Sequence, residues 1–143
     1  MAYDPNNIFA KILRGEVPSH KVWEDAATIA ILDVMPQSDG HTLIIPKTPA
    51  ENLFDLDTGM AEAVMRTGQR LALAVLRAFH PDGVTLMQFN GAEAGQTVFH
   101  FHLHVIPRYA GQPLRSHGRG FADPAVLAEQ AMHLKAALDS LGP

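Results

Sequence analysis

The chain has 143 residues, 47% of them hydrophobic and 18% charged, a size and balance that predict one compact globular domain and exclude a disordered chain. Eleven basic against fifteen acidic side chains give a formal charge of −4 with histidine neutral. That balance argues against a nucleic-acid surface, because phosphate-backbone binding needs clustered Lys and Arg.

No apolar run approaches the roughly 20 residues of a membrane-spanning helix, so no membrane partner is expected. The start, Met1-Ala2-Tyr3-Asp4-Pro5-Asn6-Asn7, lacks the basic residues and apolar stretch of a signal peptide. With no cysteine there is no disulfide framework, thiolate nucleophile or thiolate zinc site, which fits a cytoplasmic setting. Internal repeats and linkers are absent, and residues 1–143 read as a single domain.

Asn6 or Asn7 is placed to cap a short helix through Leu13, with Gly15 just past its end. Residues 21–24 and 28–33 read as strands, joined through Asp25-Ala26-Ala27 as a hairpin without a strong turn signature. Residues 36–40 are a loop, and 41–46 a third strand. Asp57 or Thr58 caps a long helix to about Phe79, its apolar residues Met60, Val64, Leu71, Val75 and Phe79 at helical spacing. Gly68 interrupts that helix at a cost of about 1 kcal/mol relative to alanine. His80-Pro81-Asp82-Gly83 ends it. Residues 84–89 form a fourth strand, 90–97 a Gly-containing loop, and 98–106 a fifth strand. Residues 113–120 are a mobile loop. Asp123-Pro124 starts the last helix, with Leu127, Ala131, Leu134, Leu138 and Leu141 as its apolar stripe. The predicted class is α+β, a mainly antiparallel sheet of about five strands with two main helices.

The fifth strand carries the chemistry. Alternation along it puts Val98, His100, His102, His104 and Ile106 on one face and Phe99, Phe101, Leu103 and Val105 on the other. One face enters a core, while the other presents imidazoles roughly 6.6–7 Å apart. Imidazole near pH 7 attacks electrophiles, moves protons or binds metal, and alternating histidines on a strand also suit zinc. The preceding loop, Asn90-Gly91-Ala92-Glu93-Ala94-Gly95-Gln96-Thr97, has the glycines that let backbone N–H groups approach an anion. Together they suggest a phosphate held beside a nucleophile.

Gly-Gln-Thr followed by His-Phe-His-Leu-His-Val-Ile resembles the signature of the histidine triad (HIT) superfamily. The resemblance runs from Asn7-Ile8-Phe9 through residues 29–47 to Pro107-Arg108-Tyr109-Ala110-Gly111. It implies a HIT-like fold that binds nucleotides and breaks a bond at the α-phosphate through a nucleotidyl-histidine intermediate. His102 matches the nucleophile. His104 matches the residue that contacts phosphate and positions or protonates the leaving group, and His100 supports it. His41 resembles the upstream histidine that completes the polar chain. Gly95, Gln96 and Thr97 match the phosphate-binding turn, Asp33 the ribose partner, Val34 a nucleoside contact, and Asn90 a phosphate or sugar contact. Phe9, Ile12 and Ile31 are candidates to wall a base pocket, or plain core. His20, His80, His117 and His133 lie outside the motifs, and Arg108, Arg115 and Arg119 are read as solvated.

Some bacterial members place a cysteine pair around the N-terminal Ile-Phe, which helps bind structural zinc. Here Asn7 and Ala10 flank Ile8-Phe9, so neither metal nor any other cofactor is expected. The resemblance also implies a homodimer. Residues 45–56, 93–97 and 107–111 resemble the fragile-histidine-triad branch, which hydrolyses dinucleoside polyphosphates. Asn7-Ile8-Phe9 and Asp33-Val34-Met35-Pro36-Gln37 resemble the Hint branch, which cleaves nucleoside phosphoramidates. Dinucleoside polyphosphate hydrolysis is the reading adopted; the alternatives are phosphoramidate hydrolysis and a non-enzymatic nucleotide-binding regulator.

Overall fold

The first hairpin is built around Asp25, whose carboxylate accepts from the backbone N–H groups of Ala27 (2.8 Å) and Thr28 (2.7 Å) and from Trp23 Nε1 (3.0 Å). Burial alone would raise the Asp25 pKa; these donors outweigh it and hold the carboxyl below its ordinary value. An Asp bonding the backbone two and three residues ahead makes a turn without glycine, so the link has no Asn-Gly or Asp-Gly signature. In this computed structural model, which describes residues 2–116 and 120–143, the turn joins β1 (Lys21–Glu24) to β2 (Thr28–Leu32). His117 and Arg119 lie outside the described residues.

After β2 the chain runs through β3 (Thr42–Pro46), the long helix α2 (Thr58–Phe79), β4 (Gly83–Met87) and β5 (Leu103–Arg108), and closes with α3 (Pro124–Ser140). A short helix, α1 (Ile8–Leu13), precedes β1, capped by the Asn7 carbonyl oxygen on Ala10 N–H. The five strands form one sheet in the order β1-β2-β3-β5-β4, antiparallel at every pairing. The predicted α+β architecture is therefore the observed one.

Alternation sorts the sheet into two faces. Ala30, Leu32, Ile44, Leu103 and Val105 pack with α2 and α3 in the larger core, which also holds Leu71, Val75, Leu127 and Leu134. Ile29, Ile31, Leu43 and Ile45 point the other way and pack with Phe9 of α1. Both faces being covered, every residue of β2 and β3 is buried. Gly68 marks where α2 crosses the sheet: a Cβ there would stand 3.1 Å from Leu103 Cδ2 and 3.5 Å from Ile44 Cδ1. The glycine that weakens the helix locally permits its close approach.

The fifth strand begins later than the alternation predicts, at Leu103 rather than residue 98. Its ladder with β3 starts at the pair Ile44↔Leu103, so Pro46 would come opposite Phe101. Proline has no N–H to give a ladder. Phe101 N–H turns instead to Ala50 O (2.9 Å), and His100 Nε2 to the Pro46 carbonyl (2.9 Å). Consequently His100 and His102 sit on an irregular segment leading into the strand, and only His104 lies within it. Phe101 still enters the larger core, whereas Phe99 lies half-buried in a surface hollow beside Asp4 and Glu51. The fourth strand is Gly83–Met87 rather than 84–89, and residues 92–94 of the following loop form a 3-10 turn.

Candidate active site

On the α1 face a cavity of about 750 Å³ opens between α1, the loop after β2 and the ends of β4 and β5. Ile8, Phe9 and Ile12 of α1 line it together with Met87, Phe89, His102 and His104. Asp33, Val34, Gly95 and Thr97 line it as well. A mostly apolar cleft with a few convergent polar groups is the ordinary form of a small-molecule site.

The hydrogen bonds around the histidines fix their tautomers, because backbone groups have only one possible role. His102 Nδ1 is 2.7 Å from the carbonyl of His100, so Nδ1 carries the hydrogen and the lone pair lies on Nε2. Gln37 N–H donates to His41 Nδ1 (3.0 Å), so the His41 hydrogen is on Nε2. That Nε2–H faces His104 Nδ1 at 3.0 Å and makes it the acceptor, which leaves the His104 hydrogen on Nε2. The relay runs from Gln37 through His41 to His104. The His102 ring is flanked by Phe9 (centroids 4.7 Å apart) and His104 (5.0 Å), both edge-on.

His41 is fully buried behind the cavity rather than lining it. Its partner Gln37 is set by the loop ahead of β3: Ser38 Oγ donates to Pro107 O (2.6 Å), and Gly40 (φ +89°) lies where a Cβ would come within 2.7 Å of the Phe79 ring. His100 is also fully buried, 1% exposed, between Pro46 O and the Tyr3 hydroxyl. Burial, only partly offset by the bond to Pro46, pushes its pKa below the ordinary histidine value and keeps it neutral.

Asp33 Oδ1 accepts from Met35 N–H (2.8 Å), and its Oδ2 lies 3.5 Å from His41 Nε2. Ligating atoms of Asp33, His41 and His104 fall within 4.8 Å of one another, so these residues bear testing as a metal site. They do not suit one as arranged. A metal on His41 Nε2 would put the neutral ring's hydrogen on Nδ1, directly against Gln37 N–H. It would also displace the His41–His104 bond.

Two predicted contacts are not brought into the cavity. The Asn90 carbonyl oxygen accepts from Leu53 N–H (2.8 Å) and Gln88 Nε2 (2.7 Å), and its amide returns a bond to Gln88, so its polar atoms brace the 51–54 turn. Gln96 is buried, its Nε2 donating to Glu51 O (2.6 Å) and Val98 O (3.0 Å) and its Oε1 accepting from Gly91 N–H (2.8 Å). Gln96 shapes the turn; Gly95 and Thr97 face the cavity. Outside the motifs, His80 caps α2 in the left-handed region (φ 51°), His133 lies exposed on α3, and Arg115 pairs with Asp39 at 2.9 Å.

Missing from the sequence reading were Tyr3, the backbone of Gln37, and the apolar walls Met87 and Phe89. Alternation gives a signal for the last two, since Met87 registers opposite His104 and Phe89 follows two residues on. The local sequence carries no signal for the Tyr3–His100 contact across 97 positions.

A family model, the HIT domain, matches residues 14–111. The chain belongs to the HIT family. It is 43% identical over 104 residues to Protein hit of Bacillus subtilis, covering 73% of this chain and 72% of that protein. To adenylylsulfatase HINT3 of Arabidopsis thaliana it is 39% identical over 116 residues, covering 77% of this chain and 59% of the plant protein. A crystal structure of a Hit-like protein involved in cell-cycle regulation from Bartonella henselae, with an unknown ligand, superposes with a TM-score of 0.89 and 48% identity over 95% of this chain and 99% of that one. The HIT fold and the family's nucleotide-binding hydrolase relatives thus frame the site.

Proposed function

We propose that this HIT protein is a nucleotide hydrolase that cleaves dinucleoside polyphosphates at the α-phosphate through a nucleotidyl-His102 intermediate. The observation that carries the reading is the His102 tautomer: Nδ1 bound to the His100 carbonyl puts the lone pair on Nε2, in a ring that lines the cavity. Nε2 attacks the α-phosphorus in line, an Nε2–P bond forms and the bond to the leaving phosphate oxygen breaks. His104 Nε2–H, set by His41, lies beside the nucleophile to donate to that oxygen or to a phosphoryl oxygen. Water then attacks phosphorus and gives up a proton to bulk water, the P–N bond returns its electrons to His102 Nε2, and a nucleoside monophosphate leaves.

The Thr97 N–H and hydroxyl supply the donors of the phosphate turn, beside Gly95, whose own N–H donates to Ala92 O (3.0 Å). The Asp33 carboxylate accepts from the ribose hydroxyls, with Val34 against the nucleoside and Phe9, Ile12 and Ile31 walling the base. Positioning and electrostatics carry such a transfer without a cofactor or metal. A second hollow of about 510 Å³ shares Ile12, Val17, Pro18 and Ser19 with the first and leaves room for a second nucleoside, though its cations are already engaged, Lys21 and Lys47 with Glu24 and Arg14 with Glu16.

The Hint-like alternative, cleavage of a nucleoside phosphoramidate or another adenylyl bond, is favoured by the likeness to an adenylylsulfatase. Release of AMP from diadenosine tetraphosphate, adenosine phosphoramidate and adenylylsulfate, side by side without added metal, decides between them. Faster turnover of the dinucleotide is expected. Failure on all three with AMP still bound would leave a nucleotide-binding regulator.

The working form is a homodimer in the cytoplasm. β4 is an edge strand, and Leu86 on it, with Met65, Leu73 and Leu76 of α2, leaves apolar side chains exposed, which supports joining two sheets. Among the described residues no helix is long and apolar enough to cross a membrane.

A further inference from the structure

The N-terminal segment touches two of the three alternating histidines, His102 and His100. Phe9 packs edge-on against the His102 ring, and ahead of it Tyr3 Oη lies 2.5 Å from His100 Nδ1. The polarity of that bond is fixed by its neighbours. Pro46 O can only accept, so His100 Nε2 carries the hydrogen and Nδ1 the lone pair. Tyr3 therefore donates to Nδ1. Its oxygen in turn accepts from Asn7 Nδ2 at 2.9 Å. Asn7 cannot turn its amide over, because its carbonyl oxygen caps α1 at Ala10 N–H (2.9 Å) while Nδ2 also donates to Asp4 O (2.8 Å).

One directed chain thus runs from Asn7 through Tyr3 and the His100 ring to the Pro46 carbonyl. His100 precedes the first residue of β5, so it is not part of the ladder there. Its buried ring, bonded at both nitrogens, anchors the residue whose carbonyl holds His102 Nδ1.

We propose that Tyr3, oriented by Asn7, is a positioning residue for the nucleophile: its hydroxyl locks the His100 ring and thereby the carbonyl that fixes the tautomer and direction of His102. The inference rests on His102 being the nucleophile. A mere tether of the chain end would also place Tyr3 here, and Asn7 separates the two roles. In Asn7→Asp the carboxylate still caps α1 but can only accept, so it competes with His100 for the single Tyr3 proton.

The test compares wild type, Tyr3→Phe and Asn7→Asp by AMP release from diadenosine tetraphosphate, by thermal melting, and by imidazole nitrogen NMR of the protein without substrate. Each variant is expected to keep its fold and its KM within about twofold and to lose roughly tenfold in kcat, the equivalent of one hydrogen bond. The His100 Nδ1 resonance should lose its bonded shift in both, and the His102 Nδ1–H signal should give way to mixed tautomers. Loss in Tyr3→Phe with Asn7→Asp unchanged would overturn the positioning role in favour of a tether. Wild-type kcat and an unshifted His102 spectrum in both variants would overturn it outright. The spectra need no turnover, so an inactive wild type would sink the hydrolase reading while the coupling of Tyr3 to His102 is still decided.

Discussion

Replacing His41 with leucine tests the relay behind the cavity. Leucine is apolar and of similar bulk, so the change removes two hydrogen bonds with little cavity penalty. Gln37 N–H loses its acceptor at 3.0 Å and His104 Nδ1 its donor at 3.0 Å, in a place where His41 is fully buried. Each buried group left without its partner costs about 1–3 kcal/mol, so destabilisation of about 2–6 kcal/mol is expected. The kinetic loss is separate. Without the His41 donor the His104 hydrogen is no longer held on Nε2, and losing one preorganised donor costs about 10²–10³ in rate. Urea denaturation measures the first quantity. Single-turnover AMP release at a denaturant-free temperature well below the variant's melting point measures the second. A variant within about 1 kcal/mol of wild type and within threefold in rate would refute the tautomer relay.

Three further outcomes follow from the same structure. His100 has a native pKa below its ordinary value of 6.5, so below that pH the unfolded chain takes up a proton the folded one does not. The stability it contributes is full above about pH 6.5 and is lost as pH falls toward the native value; urea midpoints should drop over that window in wild type and less steeply in His100→Gln. Gly68→Val drives a branched side chain at Leu103 Cδ2, where a Cβ alone already stands 3.1 Å away, and should cost about 1–3 kcal/mol in thermal melts, a wild-type melt contradicting the close crossing. Asp33→Ala should raise KM about 10–100-fold for ribonucleotide substrates but hardly at all for 2′,3′-dideoxy analogues, since a charged acceptor contributes about 1.5–3 kcal/mol to hydroxyl partners; equal losses on both would remove the ribose role.

Much of the fold is legible along the chain because each helix and most strands have a periodicity of their own. Asp57, Asp123 and Asn7 cap where expected, and the stripe from Leu127 to Leu138 is buried as its spacing requires. The strand start at residue 98 is misread for a reason outside its own sequence. Alternation continues through Phe99 and Phe101, yet pairing stops because the partner strand ends in Pro46. The site divides the same way. Three histidines two residues apart announce chemistry, and the role proposed for His102 depends on local spacing plus one carbonyl, whereas that proposed for His104 also needs Gln37 and His41 behind it. Asn90 and Gln96 are polar residues in the right loop, but which way an amide turns depends on Leu53, Gln88 and Glu51, and no motif encodes that competition. Gln37 contributes through its backbone and Tyr3 through a partner 97 residues away, so side-chain type alone conceals both.

The central claim is that His102 Nε2 forms a bond to phosphorus. The direct measurement is rapid quenching of the protein with dinucleoside polyphosphate labelled at the α-phosphate, followed by peptide mapping of the bound label. The account predicts an acid-labile nucleotidyl group on His102 that forms before AMP appears and is absent from His102→Ala. Label on another residue, or undiminished turnover in His102→Ala, would contradict it.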